Sequence, residues 1–85
     1  MSYQPTLADA GVDLIRCVNY NFGSEDFNIF FKNAKKLIRI NRKMLDIKDS
    51  QTIERCFVKS MNEKLEEKKR KEDLLTASSI LFSYN

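Results

Sequence analysis

Residues 23–45 read GSEDFNIFFKNAKKLIRINRKML, and this stretch decides the fold. Gly23 suits the left-handed conformation that ends a preceding helix, and the Ser24 hydroxyl suits the cap of a new one. Glu25 and Asp26 place negative charge at the positive end of the helix dipole. Phe27, Phe30, Phe31, Ala34, Leu37, Ile38, Met44 and Leu45 then fall on one broad face at about 100° per residue. Lys32, Lys35, Lys36, Arg39, Arg42 and Lys43 span about 120° on the opposite side. The spacing predicts an amphipathic helix over about 25–45, apolar on one side and cationic on the other, with Asn41 interrupting the apolar stripe.

Toward the N-terminus, Thr6 and Asp9 form a capping-box pair just after Pro5. Leu7, Ala10, Leu14 and Cys17 recur at helical spacing behind it, which predicts a first helix over about 7–20. Gly11 lies inside this helix and weakens it by roughly 0.5–1 kcal/mol relative to alanine. It is either tolerated or lets another backbone come close. Asn21-Phe22-Gly23-Ser24 is the turn between the two helices.

Toward the C-terminus, residues 46–50 read as a short polar connection, with Asp49 or Ser50 capping a third helix from about residue 51. Ile53, Cys56, Phe57 and Met61 mark its buried side. From Glu63 to Asp73 only Leu65 is apolar, and Glu66/Arg70 and Glu67/Lys71 are favourable i,i+4 pairs worth about 0.2–0.5 kcal/mol each. A second apolar cluster, residues 74–84, then carries Leu74, Leu75, Ala77, Ile80, Leu81, Phe82 and Tyr84. In an unbroken helix Leu74, Leu75, Ser78, Leu81 and Phe82 return to the face of Ile53, which extends the third helix over 51–75 or beyond; Thr76, Ser78 and Ser79 mark the alternative of a break.

These readings give an all-α fold: one small three-helix domain over residues 1–85, its third helix long enough to project beyond the core and able to self-associate. Two glycines and one proline in 85 residues leave few turns for a many-stranded fold. The absence of histidine removes Ser-His and Cys-His pairs and Cys₂His₂ zinc sites. Cys17 and Cys56 sit outside any CxxC, no phosphate-binding glycine loop is present, and adjacent carboxylates such as Glu25 and Asp26 face different ways on a helix. No catalytic residue, metal site or cofactor is therefore expected. Both cysteines fall on apolar faces and read as buried free thiols in a reducing, cytoplasmic setting.

The net charge of +3 averages three unlike segments. Residues 1–31 carry four acids against one base, residues 32–48 carry seven bases against one acid, and residues 49–85 carry seven of each. The leading expectation is a small intracellular, non-enzymatic, regulatory interaction protein that docks an apolar helical face on a larger protein partner. Phe30, Phe31, Leu81 and Phe82 are the candidate contacts, and a homodimer is a further option. The alternative is a nucleic-acid-binding accessory protein that sets Lys32, Lys35, Lys36, Arg39, Arg42 and Lys43 on phosphates. A membrane surface is the least favoured partner. The competing interpretation of the basic residues is a solvated outer face, or one that docks on the acidic first helix.

Overall fold

In a computed structural model the described residues, 4–84, form four α-helices and no strand. Helix α1 spans Leu7–Val18, α2 spans Glu25–Ile40, α3 spans Ile47–Ser60 and α4 spans Glu67–Phe82. One 3₁₀ turn, Arg42–Met44, lies between α2 and α3.

The first two helices start where the sequence places them. The Thr6 N–H donates to the Asp9 carboxylate at 2.7 Å while the Thr6 hydroxyl accepts from the Asp9 N–H, closing the capping box. Gly23 adopts φ +80°, and the Ser24 hydroxyl accepts from the Phe27 N–H at 3.2 Å. α2 nevertheless ends five residues before the expected position. The Asn41 side-chain amide donates to the Leu37 carbonyl at 2.9 Å and to the Pro5 carbonyl at 3.2 Å. A side chain that occupies the last helical carbonyls gives the backbone an alternative to another α-turn.

The three-helix count and the projecting third helix are corrected by the structure. α3 begins earlier than expected, because Asp46 rather than Asp49 or Ser50 caps it; its carboxylate accepts from the Lys48 N–H at 3.2 Å. Asp49 is engaged elsewhere, accepting a hydrogen bond from the Tyr84 hydroxyl. The expected long helix breaks after Ser60. Asn62 turns the chain: its side-chain oxygen accepts from the Lys64 N–H and its carbonyl from the Leu65 N–H. The chain then folds back along α3 as the separate helix α4, which carries the cluster from Leu74 to Phe82, instead of projecting. Apolar side chains that would stand in water become core, the dominant favourable term in folding.

α1 packs along both α2 and α4, and α4 packs in turn along α3. The core takes Leu7, Ala10, Leu14 and Cys17 from α1, and Phe27, Phe31, Ala34 and Leu37 from α2. It takes Ile53 and Cys56 from α3, and Leu74, Ala77 and Leu81 from α4. Gly11 is a close-approach residue: a Cβ there would lie 3.2 Å from the Ser78 carbonyl oxygen, and the Ser78 hydroxyl donates to the Gly11 carbonyl at 2.8 Å. Polar staples hold both ends of the α3–α4 hairpin. At one end Arg70 donates to the Ser60 carbonyl at 2.6 Å and lies 3.8 Å from the Phe22 ring centroid. At the other, the Tyr84 hydroxyl accepts from the Asp46 N–H and donates to Asp49.

Candidate binding site between the second and third helices

α2 and α3 flank the central α1–α4 pair, and their rims meet where the Phe31 and Phe57 rings pack edge-on at 5.2 Å. Beside this contact the two helices leave an open cleft of about 200 Å³. The half-buried Ile38 and Phe57 supply its accessible apolar lining, above Leu45 and Ile53, which are 7% and 2% exposed and belong to the core. Lys35, Arg39 and Arg42 stand on the α2 side, and Glu54 is the acid that lines it. Two further depressions, of about 290 and 440 Å³, continue from it past Ile47 and Gln51 to Val58, along the outward side of α3.

The periodicity of α2 explains the chemistry of that wall. Its buried side chains face α1, so the lysines and arginines are left on the other side. Lys32, Lys35, Lys36 and Arg39 are exposed on α2, and Arg42 and Lys43 are exposed on the 3₁₀ turn. Among the described residues the ion pairs are Asp13–Arg16 and Glu67–Lys71, and none of these six cations takes part in one. The basic face therefore does not dock on the acidic first helix. Asp13, the buried acid of α1, accepts instead from Arg16 and, at 2.5 Å, from the Asn33 side chain. The Lys35 ammonium lies 4.7 Å from the Phe31 ring centroid, which orients it over the aromatic edge of the cleft.

The four apolar contacts expected from sequence do not come together. Phe31 and Leu81 are core residues, their surfaces already taken by the protein's own helices. Phe30 is half-buried, stacked on Tyr20 at 5.8 Å, with the Arg16 guanidinium over its ring 5.5 Å from the centroid. Phe82 is half-buried on α4 and packs against Gly11. The most exposed large apolar side chains lie elsewhere: Ile40, Met44, Ile47 and Val58 are 64%, 67%, 75% and 73% exposed. Sequence reasoning missed Ile40, Ile47 and Val58 because each interrupts a polar helical face singly. The available signal was the spacing of Ile47, Gln51, Glu54, Val58 and Met61, alternately four and three residues apart, which aligns them on one side of α3.

Neither cysteine is built for nucleophilic chemistry. Burial, reinforced by the charge of Asp13, pushes the Cys17 thiol up to about 12, and its hydrogen points to the Phe27 carbonyl. Burial, with Asp73 adding to it, also raises Cys56. A thiol held protonated at neutral pH is neither a nucleophile nor a good metal ligand. Among the described residues no group of three His, Cys, Asp or Glu side chains could hold a metal ion, and no helix is long and apolar enough to cross a membrane. The chain matches no known family, no curated protein and no solved structure.

Proposed function

We propose that this is a small intracellular, non-enzymatic interaction protein that regulates or scaffolds a larger protein through its α2–α3 side. One observation carries the reading. The bundle is closed between α1 and α2, between α1 and α4, and between α4 and α3, but open between α2 and α3, where apolar side chains line an accessible cleft. An open seam beside exposed aliphatic side chains is the shape that helix-in-groove recognition uses. A photo-crosslinking amino acid placed at Ile47 or Val58 is expected to capture a discrete protein from the native host. The same probe at Lys68, exposed on α4, is the control. No product at either position, or an identical pattern from Lys68, would overturn the reading.

A second reading keeps the six exposed cations as a phosphate-binding face. Five or six phosphate contacts give a log–log salt slope on the order of −5 for duplex. Titration of duplex and single strands between low and moderate salt reads that slope directly. A slope near zero removes this alternative.

A further inference from the structure

We infer that the α2–α3 cleft receives a short acidic, amphipathic segment of the protein partner, seating an apolar side chain on its floor and carboxylates on its rim. This assignment rests on the docking reading above and names the chemistry of the partner. Size is the first argument. About 200 Å³ accommodates one or two bulky apolar side chains, not a folded surface or a whole cofactor. Charge is the second. Lys35, Arg39 and Arg42 face the cleft against Glu54 alone, so the site is cationic where an anchor would enter. Carboxylates beside the anchor would form charge-assisted hydrogen bonds with the two guanidinium groups, which accept planar anions in bidentate fashion.

The floor separates this occupant from a nucleic-acid backbone. A phosphate chain has nothing to place against the half-buried Ile38 and Phe57, so it would use the rim and leave the floor unused. The seam also has the right element on each side. α2 and α3 each present a helical wall, and a short helix laid along the outside of the seam would reach both while one anchor side chain enters the cleft. The long reach of Arg39 and Arg42 suits a rim that steers an acidic partner in before its anchor is buried.

The test uses a synthetic peptide with leucines at helical spacing flanked by glutamates, followed by fluorescence anisotropy and by amide shifts of the labelled full-length protein. Saturable binding is expected, with shifts confined to α2 and α3. Replacing the peptide's leucines by alanine, or its glutamates by lysine, should each abolish it. In the protein, Arg39→Glu with Arg42→Glu should weaken binding by about tenfold or more. Ser50→Trp, which places an indole into the cleft from its half-buried edge, should do the same without touching a charge. Lys68→Glu with Lys69→Glu, exposed on α4, is expected to leave affinity unchanged. The assignment is overturned if the alanine peptide binds as well as the leucine peptide. It is overturned equally if duplex DNA, and not the peptide, produces the cleft shifts. It also falls if the free protein is a dimer that Ser50→Trp dissociates, since a second copy would then be the occupant. Crosslinks from Ile47 that persist in both cleft variants would sink the cleft assignment while sparing the docking reading; the absence of any protein crosslink sinks both.

Discussion

Single residues in this protein act through what stands directly opposite them. Gly11 is the clearest case. Alanine is favoured over glycine in a helix by about 1 kcal/mol, so on propensity alone Gly11→Ala should stabilise α1. The added Cβ would sit 3.2 Å from the Ser78 carbonyl oxygen, a backbone atom of α4 that moves only if the helix moves. Gly11→Ala is therefore expected to lower stability, by about 1 kcal/mol, in urea unfolding. A stabilised variant would show that α4 yields freely. Cys17 gives a pH-dependent case. Burial, with the charge of Asp13 adding to it, lifts its thiol from 9.0 to about 12. Because the folded-state value is the higher one, the thiol's contribution is complete below pH 9 and is lost as the pH rises toward 12. Cys17→Ala should be less stable than the parent at neutral pH, and the gap should narrow above pH 9. A gap constant across that range would contradict the burial of the thiol.

At the scale of elements, boundaries follow from side chains that compete for backbone groups. Thr6 and Ser24 were legible as caps because their partners lie three residues away. Asn41 was legible as an interruption, but its use of the Leu37 and Pro5 carbonyls to end α2 was not, since Pro5 is 36 residues away. The start of α3 was misplaced for a similar reason. Asp46 and Asp49 are both competent caps, and Tyr84, 35 residues beyond Asp49, engages the second. The Tyr84 staple also ties the end of α4 to the start of α3. Tyr84→Phe should speed hydrogen exchange in the first turn of α3 and the last turn of α4, while exchange in α1 stays as it was. Unchanged exchange in α3 would mean that the hydroxyl holds nothing. This hydroxyl is also raised above its ordinary value, first because it donates to Asp49 and further by desolvation. The staple is accordingly complete below pH 10 and is lost as the pH rises through that raised value.

The whole molecule depends on α4, which is the only helix packed against both α1 and α3 in the described chain. It buries Leu74, Ala77 and Leu81, and its Ser78 supports the Gly11 contact. A chain ending at residue 65 is expected to lose cooperative thermal unfolding altogether, with helical circular dichroism collapsing toward that of an unfolded chain. A cooperative transition in that fragment would show that α1–α3 form a domain by themselves. The same arrangement explains why the expected docking residues divided. Phe31 and Leu81 carry the strongest apolar signals in their segments, and strong apolar side chains are those a small core recruits first. The most exposed apolar side chains, Ile40, Met44, Ile47 and Val58, are weaker and scattered signals in the sequence.

The sequence by itself determined the helical class, the caps of α1 and α2, the buried free thiols and the concentration of positive charge between residues 32 and 48. Each of these depends on residue type and on neighbours within a turn or two, where periodicity and local hydrogen bonding operate. Only the tertiary structure decided that the third helix divides in two, that its second half returns to close the core, and that the seam between α2 and α3 stays open beside exposed cations. Those outcomes depend on contacts between residues tens of positions apart, such as Ser78 with Gly11 and Tyr84 with Asp49. A helical pattern records which face is apolar; it does not record which other face will cover it.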